Sequence, residues 1–534
     1  GGIAVATLQT PPGNSGFRAM VVSPHALASE AGARILAAGG NAFDAAVAVS
    51  ACLGVVYPHM TGMGGDSFWL VYHAGEGQVR AYNASGRSGR LVHRGLYAGE
   101  PYIPFRGIRS AITVPGMVDG WAAIHRAYGR LPFGEVLSPA IRYAEQGFPV
   151  SAGQAAFTRE AASALAQDAR AASVYLPNGR APEAGSRFVQ PALARSLKRV
   201  AEGGREAFYK GEIAREIADF MKREGGYLTR DDFADHAGRW ETPLFGRYRE
   251  YTVAQVPPNS QGFAGLMILN MLDRFHLQSI EHGSADYYHL LIEAVKLAFR
   301  DRDRYLTDPD FSPIPLDRLL SRPYAAELAG RIRMDRAREA DAAPMGRDTA
   351  YAAVADAEGN AVSFIQSLYF EFGSAVAAGD TGILLQNRGS FFSLDPDHVN
   401  RLEPGKRTFH TLMPAMALLD GRPAILYGTQ GGEGQPQTQT AVLTRIADYG
   451  MHPQEAVSAP RWLWGRTWGE PRRDLRIEAR VGRDVMDDLR RRGHPVQPAA
   501  DYDGCMGHAH AIVIRDGWCE GGVDPRSDGQ VAGI

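Results

Sequence analysis

The chain changes character at one point in its last third. A stretch rich in Ala, Arg and Asp begins at Ala325 and finishes in Ala343-Pro344-Met345-Gly346-Arg347-Asp348, and there Thr349-Ala350-Tyr351-Ala352-Ala353-Val354-Ala355 starts a β-strand. Glu358-Gly359-Asn360 supplies a tight turn and Ala361 to Tyr369 the returning strand, so Thr349 stands at the first position of a long hairpin. The connector before it reads as exposed chain in which a break costs little. Cleavage there would give one residue a hydroxyl nucleophile and, in its new α-amine, a base whose unperturbed pKa of roughly 7.7 to 8.0 suits neutral pH. On the local pattern alone an ordinary β-branched strand residue is the better reading.

Upstream, Pro24 to Leu36 reads as an amphipathic helix closed by Gly39-Gly40, and Asn41 caps an Ala-rich helix that stops before Tyr57-Pro58. That second helix is apolar nearly all round and is expected to be buried. His59-Met60-Thr61-Gly62-Met63-Gly64-Gly65-Asp66 then precedes a strand, Ser67 to Tyr72, and its glycines allow backbone to approach backbone or ligand closely. Gly116 to Tyr324 is mostly helical by periodicity, with a turn at Pro257-Pro258-Asn259-Ser260. Further strands are expected at Ala415 to Leu419 and Ala424 to Tyr427, helices at Thr438 to Tyr449 and Arg483 to Arg492, and a last strand at Ala509 to Ile514. With 534 residues and no internal repeat, one continuous body around a layered core is expected rather than two separable domains.

The balance of 57 Lys+Arg against 59 Asp+Glu argues for neither nucleic acid nor an anionic membrane as partner, which leaves a small molecule. Three scattered cysteines, Cys52, Cys505 and Cys519, form no disulfide framework. No apolar run is long enough to span a bilayer and the first residues lack the regions of an export signal, so a cytoplasmic location is expected, with a trimmed leader left open.

A second glycine cluster, Gly428-Thr429-Gln430-Gly431-Gly432-Glu433-Gly434, lies between a strand and a helix, where successive N–H groups can stabilise an oxyanion. It matches neither a phosphate loop nor a dinucleotide fingerprint, and an ordinary turn fits it as well. His508 and His510 share a spacing that would suit one strand face but lack a companion ligand set, so no metal and no cofactor are expected. The absence of Gly-x-Ser-x-Gly counts against a hydrolase serine. Arg87 and Arg90 have the chemistry to hold a carboxylate, or to be solvated loop charges.

Together these segments resemble the γ-glutamyltransferase family of N-terminal-nucleophile hydrolases. The likeness is carried by Gly39 to Ala46, Thr61 to Asp66, Val114-Pro115-Gly116, Thr349 to Val362, Phe372-Gly373-Ser374, Gly382 to Leu385, Gly431-Gly432 and Asp524 to Gly529. The resemblance implies an α/β (α+β) fold, a four-layer αββα sandwich, and a proenzyme that cuts itself between Asp348 and Thr349. Fragments 1–348 and 349–534 would then form one intertwined heterodimer. It also implies Thr349 as nucleophile, Ser367 as an assisting hydroxyl and Gly431 and Gly432 as the oxyanion hole.

The substrate side departs from the family. Where members acting on glutathione carry Asn, Gln and Asp around the glutamyl head, this sequence has Tyr369, Arg388 and Phe391. His410-Thr411 replaces a Ser-Ser pair, Asn83 falls at an expected arginine with Arg87 nearby, and Ser393 to Pro404 is short for a lid. An acyl group with a carboxylate and no α-amine is therefore expected at Arg87, Arg388 and His410, as in oxamate-type amidases or glutaryl-type acylases. A true γ-glutamyltransferase and an unprocessed, silent binding protein are the alternatives.

Overall fold

Two strands inside the larger sheet are buried on both faces, and their alternation sorts side chains between two different cores. In Asp66–His73, Trp69 and Val71 point one way and Phe68, Leu70 and Tyr72 the other. In Asp348–Ala355, Ala350, Ala352 and Val354 likewise oppose Tyr351, Ala353 and Ala355. A sheet of this kind needs cover on each side. The structure, a computed structural model describing residues 4–6, 16–340, 348–432, 434–465 and 474–534, supplies it in four layers.

An eight-stranded sheet runs in the order Ala4–Ala6, Gln530–Gly533, Met20–Ser23, Asp348–Ala355, Ala361–Tyr369, Asp66–His73, Gln78–Ala84, Arg239–Glu241. A six-stranded sheet runs Trp518–Val523, Ala509–Arg515, Arg422–Thr429, Ala415–Leu419, Tyr251–Gln255, Leu244–Tyr248. Between them lies a core of Phe68, Leu70, Tyr351, Ile365, Met416, Leu426 and Ile512. The outer face of the first sheet is covered by helices including Ala26–Ala37 and Ala42–Val56, and that of the second by Gly262–Leu272, Ala285–Tyr305 and Gly434–Ala447. Ala42–Val56 is almost wholly buried, and Asn41 caps it with a complete capping box to Asp44.

Residues before and after Thr349 interleave in both sheets. Met20–Ser23 pairs with Asp348–Ala355, Asp66–His73 with Ala361–Tyr369, and Tyr251–Gln255 with Ala415–Leu419. The two stretches share one body, because neither sheet is complete without strands from each.

Some expectations need correction. The helical middle is interrupted by Arg239–Glu241, Leu244–Tyr248 and Tyr251–Gln255. Leu244–Tyr248 is an edge strand with Phe245 exposed, so its mixed polarity carried no readable alternation. Ala509–Arg515 is not the last strand, since Trp518–Val523 and Gln530–Gly533 follow. A Cβ on Gly522 would sit 2.5 Å from Pro453, so the strand Trp518–Val523 is glycine there because a helix presses on it. The helix expected from Thr438 begins at Gly434, directly from the glycine turn. The connector 341–347 and Glu433 lie outside the described residues.

Candidate active site

The hairpin places Thr349 one residue into its strand, behind Asp348, and breaks register there. Asp348 pairs with Tyr369 and Ala350 with Gln366, so Thr349 alone faces both Ser367 and Leu368. Close approach makes this possible: a Cβ on Gly65 would lie 2.1 Å from the Ser367 carbonyl oxygen. Ser367 Oγ donates to the Asp348 carbonyl at 2.6 Å and accepts from Tyr369 N at 2.7 Å. The hydroxyl thus points at the peptide bond preceding Thr349. Tyr369 pays with a φ of 86°, in the left-handed region that a bulky residue rarely occupies.

Thr349 is buried, and its Oγ1 has no hydrogen-bond partner among the described residues. Its backbone nitrogen donates to Gln430 Oε1 at 3.2 Å. Gln430 follows the strand Arg422–Thr429, and Gly431 and Gly432 come next with φ of 127° and 53°. Their carbonyls accept from Gly434 N and Gln435 N, whereas their own N–H groups find no acceptor among the described residues. Two free donors beside a free hydroxyl can stabilise the oxyanion of acyl transfer.

Next to this lies a cluster of charged and aromatic side chains. Arg388 is 1% exposed, its guanidinium carbon 4.2 Å from the Tyr369 ring centre. Nη1 donates to Thr411 Oγ1 at 3.3 Å, but Nε and Nη2 have no partner among the described residues. Burial pushes the pKa of Arg388 down to about 10. Phe391 meets Tyr369 edge to face at 5.9 Å and lies 4.9 Å from Phe409. His410 Nε2 stands 3.2 Å from Asp66 Oδ2, and Asp66 Oδ1 accepts from Gly86 N, Gly116 N and Gln386 Nε2. Burial raises Asp66 to about 7 against the pull of those donors and of Arg388, and burial beside Arg388 holds His410 well below its usual value.

Arg87 is not brought to this cluster. Its guanidinium donates to Asp308, Asp310 and Gly405 O, none of which touches Arg388, and two carboxylates keep it there. Arg90 is an exposed partner of Asp235. Ser393 to Pro404 folds back on itself through Ser393 N to Asn400 O and Leu402 N to Ser393 O. His508 precedes its strand and bonds to Tyr57 OH, while His510 Nδ1 accepts from Asp524 N. One trio with metal-ligand chemistry occurs among the described residues, His289, Glu293 and His494. The Lys296 ammonium lies 2.8 Å from Glu293, so a cation already occupies that position.

A strand-borne threonine with a free hydroxyl, its nitrogen held beside a glycine turn in an αββα sandwich, defines an N-terminal-nucleophile hydrolase. The model of the gamma-glutamyltranspeptidase family matches residues 28–534, and the chain belongs to that family. It is 59% identical over 520 residues to the glutathione hydrolase-like YwrD proenzyme of Bacillus subtilis, covering 97% of this chain and 99% of the relative. It is 43% identical over 531 residues to the oxamate amidohydrolase proenzyme of Klebsiella pneumoniae, covering 97% and 99%. Among solved structures it is similar to the cephalosporin acylase from Bacillus halodurans, with 37% identity, TM-score 0.91 and coverage of 100% of this chain and 97% of that one.

Two residues of the site were not picked out from sequence. Asp66 had a signal, as a lone carboxylate at the junction of a glycine cluster and an apolar strand. Gln430 had none, because nothing local joins it to Thr349, 81 residues away.

Proposed function

We propose that the protein is a self-processing amidohydrolase whose acyl group carries a carboxylate and no α-amine. The observation that carries this reading is Arg388, a buried guanidinium with Nε and Nη2 unfilled among the described residues. Burying a guanidinium whose donors are only partly satisfied costs several kcal/mol in order of magnitude, and a carboxylate fits that edge with two parallel hydrogen bonds. A glutamyl α-ammonium would instead need an anion, and the carboxylate adjoining Arg388, Asp66, is already engaged by four donors. The name of the 59% identical relative supports a second reading, hydrolysis of γ-glutamyl compounds.

Maturation follows from the same geometry. Thr349 Oγ attacks the Asp348 carbonyl carbon, with Ser367 Oγ–H polarising its oxygen. The acyl group moves from nitrogen to oxygen and water cleaves the ester. The Asp348 carboxylate and the Thr349 α-amine are freed, giving fragments 1–348 and 349–534. In turnover the α-amine takes the hydroxyl proton as Oγ attacks the substrate amide, and Gly431 and Gly432 hold the oxyanion. Collapse breaks the C–N bond, the amine leaves with the proton, and water releases the carboxylic acid.

A panel of oxamate, glutaryl amides and γ-glutamyl-p-nitroanilide, assayed on matured protein with mass spectrometry of acylated Thr349, tests this reading. Ammonia from oxamate or amine from glutaryl amides is expected. Efficient turnover of the γ-glutamyl anilide with little of either would overturn it.

A further inference from the structure

The amide side chain of Gln430 meets the one nitrogen that changes chemical identity on maturation. In the intact chain Thr349 N is a peptide nitrogen and can only donate, so the Gln430 atom 3.2 Å away is the acceptor oxygen. Both residues are buried. The Gln430 backbone is pinned as well. Its N–H donates to His508 O at 3.1 Å, its carbonyl accepts from Thr429 Oγ1 at 2.6 Å, and a Cβ on Gly507 would lie 2.3 Å from that carbonyl. None of these backbone contacts involves the bond before Thr349, so the point from which the side chain extends is held independently of the cut.

We infer that Gln430 is the positioning residue for the catalytic base: its Oε1 accepts one N–H of the mature Thr349 α-amine and turns the nitrogen lone pair toward Oγ1. The inference rests on Thr349 as nucleophile but not on which acyl group the pocket takes. An amine has three positions around nitrogen beyond its bond to Cα. Holding one N–H at Oε1 leaves the lone pair a restricted arc, and the hydroxyl on the same residue lies in reach of it. Glutamine suits this task and glutamate does not. A neutral acceptor orients the amine without favouring its protonated form, whereas a carboxylate at that distance would hold an ammonium, which has no lone pair to accept a proton. The other ionisable groups around this nitrogen are Asp348, Glu371 with Arg106 beyond it, and His508 with Tyr57 beneath the turn. All are retained in the variants below, so a difference between Gln and Glu at position 430 isolates the one contact.

The test uses Gln430→Glu and Gln430→Met, each matured to two fragments, with two readouts. Carbamoylation of the Thr349 α-amine by cyanate, followed by mass against pH on fragment 349–534, reports the amine directly and needs no substrate. The pH profile of kcat is read with whichever amide the parent turns over. Gln430→Glu is expected to move the cyanate midpoint and the acidic limb of kcat upward by about one pH unit or more. Gln430→Met is expected to lower kcat by about 10- to 100-fold with KM within about twofold. Unchanged midpoint and kcat in both variants would overturn the inference. Failure of both to be cut would do so too, since orientation of an amine is needed only after cleavage. If the amide panel fails while the cyanate midpoint shifts, the substrate reading falls and this one stands.

Discussion

The two halves of the site are built on opposite principles. Around Thr349 the work is done by backbone: a register break, the Ser367 bond to the Asp348 carbonyl, two glycines with positive φ, and a pinned Gln430. Around Arg388 it is done by side chains left short of partners, a buried guanidinium stacked on Tyr369 and a histidine held by Asp66. The first half is complete without substrate and fixes a reaction. The second leaves two nitrogens of a buried guanidinium without partners among the described residues, and in the function proposed above the substrate carboxylate takes them.

The contrast can be broken from the largest effect downward. Thr349→Ala removes the nucleophile of both steps and should leave one uncut band on a denaturing gel and activity lower by more than about 10⁴-fold. Processing in that variant would remove Thr349 from its role. Arg388→Met should raise KM for carboxylate-bearing amides by about 10²-fold or more while the melting temperature holds or rises, because a costly buried charge goes with the binding contact. A loss of stability with unchanged KM would show Arg388 to be structural.

Asp66→Asn separates the halves through pH. The folded pKa of Asp66, about 7, lies above its ordinary value of 3.8, so its ionisation is harder in the folded protein. The cost to stability is absent below about 4, grows as pH rises and is fully present above about 7. The melting temperature of Asp66→Asn relative to the parent should therefore climb between pH 4 and pH 7, and a flat difference would mean that Asp66 ionises freely. Arg87→Ala should have the smallest effect on the reaction, with KM within about twofold, while stability falls by about 1 to 3 kcal/mol, since the pair with Asp310 is screened by solvent but the buried Asp308 loses a charged partner. A large rise in KM would return Arg87 to the pocket.

Legibility followed the range of the forces involved. The capped helix Ala42–Val56, the hairpin from Asp348 to Tyr369 and the strand Asp66–His73 were readable because capping, turn chemistry and alternation act within a few residues. The edge strand Leu244–Tyr248 was not, because its partner Tyr251–Gln255 pairs in turn with Ala415–Leu419 far along the chain, and that pairing decides its state. The candidate site divides in the same way. Thr349, Ser367, Gly431 and Gly432 fell out of the hairpin, the glycine turn and the family likeness, whereas Arg87 and Arg388 were alike in sequence as cations near glycines.

By itself the sequence determined a strand beginning at Thr349 and a glycine turn able to hold an oxyanion, since each depends on residues close in the chain, and the family likeness added the expectation of a pocket without the usual glutamyl partners. Only the tertiary structure decided that Gln430 reaches the Thr349 nitrogen, that Asp66 holds His410, and that Arg388 is buried with two nitrogens lacking partners among the described residues while Arg87 is paired with Asp308 and Asp310. Whether a charge finds a partner depends on which strands pack together, and that is settled when the two sheets close on their shared core.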